Sequence, residues 1–350
     1  MKLIVQIPVL NEADSIADVL AAIPRQIAGV ANVEVLIIDD GCTDDTVAVA
    51  LAHGADHVVR HTSRKGLATA FQTGIDTALR LGADIIVNTD GDHQYPGGEI
   101  PRLIAPILAG QADYVIGDRQ VGSIEHFSPV KKALQSVGSG IVRWASETDV
   151  YDAVSGFRAL SREAALRTFV TTDFSYTVEN LIQAGKKRLT VATVPITTNP
   201  VRRPSKLHHG NWHFVKQQAA TIVRTYVTYE PLKTFTYIAA PFLLLGVVLL
   251  GRAFYVFLAR KFGYLGSNDQ ALVGGSVLLI LGFVIFLFGI LADRIGSIRR
   301  LTEEVLYRAR SHEVADEEWR RTIGARLDLL EQTLLGDGLA LDQDDQARER

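Results

Sequence analysis

Asp90-Gly91-Asp92-His93-Gln94 follows directly on the apolar run at 84–88. Two carboxylates one residue apart at a strand end can face the same hard cation. Mg²⁺ and Mn²⁺ take oxygen ligands, and protein sites often supply one or two carboxylates and leave other positions to substrate phosphates. The predicted chemistry is charge neutralisation on the diphosphate of a nucleotide-sugar as the nucleoside diphosphate leaves. An acidic surface turn could carry the same residues, but the strand before it favours the metal. Ile37-Ile38-Asp39-Asp40-Gly41-Cys42-Thr43-Asp44-Asp45-Thr46 is the second such stretch. Gly41 permits a tight turn close to a ligand. One of the two carboxylates, Asp39 or Asp40, can accept a hydrogen bond from a base N–H. Thr43 with Asp45 or Thr46 could cap the next helix. Capping accounts for Thr43 and Asp44 but not for two acids at a strand end, so nucleotide binding is expected here. Later, Arg202, Arg203 and Lys206 gather ahead of an aromatic stretch and a long apolar run. They could hold a lipid phosphate at a membrane boundary, or attract anionic lipid generally; both can be true.

These residues need a scaffold. Apolar runs at 3–9, 33–38, 84–88 and 114–116 read as buried parallel strands. Helical stretches at 15–23, 44–53 and 68–81 lie between them. Strands alternating with helices predict βαβ units and an open, mostly parallel sheet in an α/β fold. Ligands bind such sheets beyond the carboxyl ends of the strands. Asn11-Glu12, Asp39-Asp40 and Asp90-Gly91-Asp92 all fall there.

The C-terminal part has a different character. Apolar runs at about 235–259 and 271–292 are each long enough to cross a hydrocarbon core of ~30 Å at ~1.5 Å per residue. Arg224 and Lys233 precede the first, and Arg294, Arg299, Arg300, Arg308 and Arg310 follow the second, whereas the connecting loop has only Arg260 and Lys261. That asymmetry predicts a two-span hairpin in the cytoplasmic membrane, with the catalytic domain and both termini in the cytoplasm. Arg252, inside the first span, is expected to snorkel to the far interface. Five units are expected: a catalytic domain over 1–206, an interfacial amphipathic helix over 207–233, the transmembrane hairpin over 234–293, a cytoplasmic C-terminal helix over 294–335 and a disordered acidic tail over 336–350. Ile298, Leu301, Val305, Trp319, Ile323 and Leu327 lie roughly on one face of the C-terminal helix. That face predicts a homo-oligomer or packing on the catalytic domain.

A net charge of −3 leaves no global basic field for nucleic acid. The single cysteine, Cys42, rules out an internal disulfide and suits a reducing compartment. Met1 to Ile7 is too short for a signal peptide and reads as the first strand.

Several of these motifs occur together in one known family. Ile7-Pro8-Val9-Leu10-Asn11-Glu12, Asp39-Asp40-Gly41, Arg64-Lys65-Gly66 with Gly74, Asp90-Gly91-Asp92-His93-Gln94 and Asp152-Ala153-Val154-Ser155-Gly156-Phe157-Arg158 resemble the family 2 glycosyltransferases. The likeness is strongest to the dolichyl-phosphate mannose synthase and polyisoprenyl-phosphate glycosyltransferase branch and extends over roughly 1–310. It implies a GT-A fold and inverting transfer from a nucleotide-sugar donor to a polyprenyl phosphate. It implies a divalent metal, Mg²⁺ or Mn²⁺, held by Asp90, Asp92 and Gln94. It implies nucleotide contacts at Pro8, Asn11, Glu12, Asp39, Asp40, Lys65, Asp90 and Gly91. The acceptor phosphate would meet Arg119, Lys131, Lys132, Arg202, Arg203 and Lys206. Asp152 matches the family carboxylate that acts as a base or orients the acceptor; Asp92 and Arg119 complete the catalytic group. Two departures stand out: Asp118 sits beside Arg119, and Lys131-Lys132 replace an arginine, losing its bidentate fork.

A processive polysaccharide synthase would carry Gln-x-x-Arg-Trp and more spans; Arg143-Trp144 has no such glutamine. A nucleotidyltransferase or dehydrogenase would show a glycine-rich loop where Asn11-Glu12-Ala13-Asp14 stands. A membrane-bound glycosyltransferase with a hydroxyl acceptor is the alternative activity, and it would need a general base.

Overall fold

The computed structural model describes residues 1–120, 140–170, 176–200, 220, 223–224, 226–261 and 269–348. Seven strands form one sheet: β1 (Lys2–Val9), β2 (Asn32–Asp39), β3 (His57–Arg60), β4 (Ile85–Asn88), β5 (Tyr114–Asp118), β6 (Arg158–Ser161) and β7 (Val191–Pro195). Their order is β3-β2-β1-β4-β6-β5-β7. β1 pairs in parallel with β2 and β4, and β6 runs antiparallel between β4 and β5. The expected strands are all present; β3, β6 and β7 are additional. Helices α1 (Ile16–Ala22), α2 (Thr46–Ala52), α3 (Leu67–Arg80), α4 (Ile100–Leu108), α5 (Arg162–Arg167) and α6 (Tyr176–Lys186) cover the sheet.

The alternation of β1 sorts the core into two layers. Leu3, Val5, Ile7 and Val9 pack on one side with Val19, Leu20 and Ile104; Ile4 packs on the other with Phe71, Ile75 and Leu181. Gly74 lets α3 lie close on this second face, where a Cβ would come within 2.9 Å of Ile38 Cδ1.

Helices α7 (Pro231–Lys261) and α8 (Asp269–Arg348) make an antiparallel pair. Their apolar windows have mean hydropathy 2.3 and 2.7 and are only 11% and 17% buried, so their outer faces lack protein partners among the described residues. Four glycines seven residues apart, Gly275, Gly282, Gly289 and Gly296, line one face of α8. A Cβ on the first three would lie 3.0 Å from Leu250 Cγ, 2.8 Å from Leu243 Cγ and 2.7 Å from Phe235 Cβ. Small residues on this face let the two backbones approach closely.

Beyond the apolar run, α8 continues without a break. One helix runs from Asp269 to Arg348. No proline interrupts it after Ala292. Pairs such as Arg299–Glu303 and Arg308–Glu304, both at 2.9 Å, support the helix past the end of the apolar run. One side of this extension docks on the catalytic domain. Arg310 reaches Asp76 at 2.6 Å and Thr168 O at 2.8 Å, Tyr307 donates to Glu163 at 3.0 Å, and Val314 joins the core. Glu313 pairs with Arg80 at 2.8 Å. Asp76 before Arg80 thus meets Arg310 before Glu313, so α3 and α8 run in the same direction. Helix α3 starts at the carboxyl edge of the sheet, so that edge is turned toward the hairpin. The apolar face named from the sequence is not the docking side: Ile298, Leu301, Val305, Trp319 and Leu327 are all exposed. Most of the expected interfacial helix lies outside the described residues; 226–229 are helical.

Candidate active site

Three strand-end loops are cross-linked where the acidic motifs lie. Asn11 Oδ1 accepts from Thr43 N at 2.8 Å, and the Asn11 backbone N donates to Cys42 Sγ at 3.2 Å. Glu12 N donates to Thr46 Oγ1 at 2.8 Å. Ser15 Oγ donates to Gly91 O at 2.7 Å. Asn11, His93 and Gln120, each just past a strand, adopt left-handed φ of 56°, 59° and 50°. Such non-glycine residues store strain and gather at functional loops. The helix cap differs from expectation: Thr43 bonds to Asn11, and Asp44 Oδ1 accepts from Thr46 N at 3.1 Å. The N-cap residue of α2, Asp45, makes no side-chain capping bond.

Asp39 and Asp40 are both buried, at 1% and 4% exposure. Asp39 accepts from Gly41 N at 3.0 Å, Cys42 N at 2.6 Å and Arg60 Nε at 2.8 Å. Burial opposes its charge, but the Cys42 amide and Arg60 together hold its carboxyl below the usual range. Asp40 accepts from Lys65 N at 2.7 Å and Gly66 N at 2.9 Å, fixing the turn that carries exposed Lys65. His61 Nδ1 lies 2.9 Å from Asp40 Oδ1, and its Nε2 lies 3.0 Å from Thr73 Oγ1. His61 thus ties Asp40 to α3. Sequence reasoning passed over it because only the fold brings His61, Asp40 and Thr73 together. Pro8 is buried in β1 beside Ile38.

At the end of β4, Asn88 accepts from Gln6 Nε2 at 2.9 Å and donates to Gly156 O at 2.8 Å and Tyr176 OH at 3.1 Å. A Cβ on Gly156 would sit 3.0 Å from both Asp90 oxygens, so only glycine lets this loop lie along Asp90. Asp90 is recessed and Asp92 exposed, with Asp92 Oδ1 accepting from Gln94 N at 3.0 Å. Burial, then the Asp92 charge, pushes the Asp90 carboxyl up to about 7 against Arg119 and Arg158. A cation would relieve that cost. Among the described residues no three His, Cys, Asp or Glu side chains cluster to hold a metal. The acidic pair therefore suits an ion that completes its shell with amide, water and substrate oxygens.

Arg119, past β5, donates to Asp152 twice, Nε to Oδ2 at 2.7 Å and Nη2 to Oδ1 at 2.9 Å. The pair is nearly enclosed, with side chains 12% and 1% exposed. Burial opposes the Arg119 charge, yet Tyr95, Asp152 and Asp90 keep its pKa raised. Asp118 is turned onto its own loop, accepting from Gln120 N at 2.8 Å. Arg158 is fully buried and donates to Ser155 O, Ala153 O, Thr177 O and Tyr114 OH, between 2.6 and 2.8 Å. It shapes the loop between Asp152 and Gly156. Lys131, Lys132, Arg202, Arg203 and Lys206 lie outside the described residues.

The family model for Glycosyl transferase family 2 matches residues 4–169. An uncharacterized glycosyltransferase of Mycobacterium tuberculosis is 32% identical over 201 residues, spanning 56% of this chain and 84% of its own. The chain belongs to glycosyltransferase family 2. A polyprenol monophosphomannose synthase of Mycolicibacterium smegmatis is 28% identical to this glycosyltransferase over 205 residues, 55% of the chain and 76% of the relative. Among solved structures, glucosyl-3-phosphoglycerate synthase from Mycobacterium tuberculosis, in complex with Mn²⁺, UDP-glucose and phosphoglyceric acid, superposes with a TM-score of 0.50 at 22% identity. That match covers 65% of this chain and 78% of the synthase. The sheet and helices are those of a GT-A fold.

Proposed function

We propose that this enzyme transfers a sugar, with inversion, from a nucleotide-diphosphate sugar to a polyprenyl phosphate in the membrane. The observation that carries the reading is the orientation of the sheet. Its carboxyl edge, with Asp90, Asp92 and the Arg119–Asp152 pair, is turned toward the paired apolar helices. The likeness to a polyprenol monophosphomannose synthase supports the same acceptor class.

The nucleotide lies over the loops after β1 and β2, where Asp39 and Asp40 hold the backbone of 41–42 and 65–66 in place. Asn11, Glu12, Pro8, Lys65 and Gly91 frame it. Asp90 and Asp92, with Gln94 beside them, would hold a divalent metal, which supplies neutralising charge to the departing diphosphate. Arg119 presents a guanidinium to the acceptor phosphate, and Asp152 holds it in place through two hydrogen bonds. With both its oxygens on Arg119, Asp152 serves better as the orienting group than as a base. No base is required, because a phosphate monoester with a second pKa of about 6 is already largely nucleophilic at pH 7. Arg202, Arg203 and Lys206 contribute further positive charge. The hairpin spans the membrane twice, with the catalytic domain and both termini in the cytoplasm.

The test is turnover of radiolabelled nucleotide-sugars with polyprenyl phosphate and with polyprenol. The phosphate should be used and the alcohol should be a poor acceptor. Arg203→Ala should raise the apparent KM for the lipid by about tenfold to a hundredfold, the value of one charge-assisted bond of ~1.5–3 kcal/mol, and leave that of the donor unchanged. Equal use of alcohol and phosphate would favour the hydroxyl-acceptor alternative.

A further inference from the structure

Residues 140–146 are helical and two-faced. Val142 and Ala145 are buried at 1% and 0%, whereas Ile141 and Trp144 are 45% and 61% exposed. Tyr151, a few residues on, is also exposed, with the Arg143 guanidinium 4.9 Å from its ring centroid. We infer that residues 140–151 form a second membrane contact, separate from the hairpin, that seats the catalytic domain on the interfacial layer of the adjoining leaflet.

Two links fix where this surface lies. The Trp144 ring meets Tyr226 at 4.8 Å between centroids, just ahead of the first residue of α7. Lys186 Nζ lies 2.7 Å from Glu147 Oε1 and 2.9 Å from Glu230 Oε1, tying the end of the short helix to the foot of α7. Pro231 begins α7 against Gly296, where a Cβ would stand 3.8 Å from Pro231 Cγ. Gly296 is only one helical turn past Ala292, or ~6 Å at ~1.5 Å per residue. The polar layer of a bilayer extends roughly 5–8 Å beyond its hydrocarbon core on each side. The surface is therefore level with the headgroups.

The chemistry matches that layer. Tryptophan and tyrosine place an apolar ring with a wet polar tip at the interface, and an arginine there meets lipid phosphate. Exposed Tyr237, in the first turns of α7, continues the same belt. Tyr151 is next to Asp152, so seating this segment also sets the height of the Arg119–Asp152 pair.

The inference rests on α7 and α8 spanning a membrane, and one experiment separates the two claims. Trp212→Phe and Trp319→Phe leave Trp144 as the sole tryptophan of the full chain. The protein is reconstituted in bilayers carrying lipids brominated near the glycerol or near the chain end. Trp144 emission should fall by roughly half or more with the shallow bromines, as expected for a side chain ~5–10 Å into the boundary region. It should change little with the deep bromines or with aqueous acrylamide. Ile141→Ser should raise the apparent KM for bilayer-embedded acceptor several-fold and leave a soluble short-chain acceptor unaffected. Free quenching by acrylamide with no effect of either bromine, in protein that still floats with the bilayers, would overturn the contact alone. Failure to float would overturn the hairpin reading as well.

Discussion

At the scale of single residues, the buried charges Asp39, Asp40 and Arg158 hold the backbone of the site's loops. Asp92 is different: exposed, with one oxygen turned to Gln94 N. Asp92→Asn should lower turnover by at least about a hundredfold through lost metal affinity while the thermal melt stays within a few degrees. Excess chelator should abolish wild-type turnover; full turnover in chelator would remove the metal from the reaction. Cys42 offers a second handle. Burial, with Asp39 beside it, pushes its thiol up to about 11 against the Asn11 amide. Its folded pKa lies above that of a free thiol, so its alkylation at pH 8 should be roughly tenfold or more slower than for the unfolded chain. The rate should keep climbing between pH 9 and 11, where a free thiol levels off near its pKa of about 8.5. Iodoacetamide labelling followed by mass spectrometry reads both.

At the scale of elements, α8 does three jobs that the sequence assigned to separate segments. Its glycine face packs on α7, its Tyr307–Val314 side holds the catalytic domain, and its Ile298, Leu301 and Val305 side faces outward. The docking side carries no apolar stripe in the sequence: the positions that pack include Tyr307, Arg310 and Val314, two of them polar in type. We expect the outward side to pair with a second copy. Leu301→Glu with Val305→Glu should lower the mass measured by light scattering in detergent, with activity per chain largely kept. An unchanged mass would remove the pairing.

At the scale of the whole molecule, the catalytic sheet is clamped to the long helix α8 with its carboxyl edge toward the apolar hairpin. The topology that this implies is directly accessible. In a Cys42→Ser background, Ser267→Cys should react with an impermeant maleimide only from the outer side of intact cells. Labelling from the cytoplasm alone would show that α7 and α8 do not form a spanning hairpin.

The sequence alone determined the parallel βαβ core, the acidic motifs at its strand ends and the two apolar helices. Each of these is encoded locally, by runs of Val and Ile, by turn residues or by length. It could not reveal β6, which is short and packs antiparallel between β4 and β5, because strand order depends on contacts far apart in the chain. Nor could it show that Asp152 faces Arg119 through two hydrogen bonds, that His61 braces Asp40, or that Gly156 must lie against Asp90. Those partners are separated by between about 20 and 70 positions, and only folding brings them together. The direction of the active edge was likewise settled by tertiary contacts, since it follows from which residues of α3 meet which turns of α8.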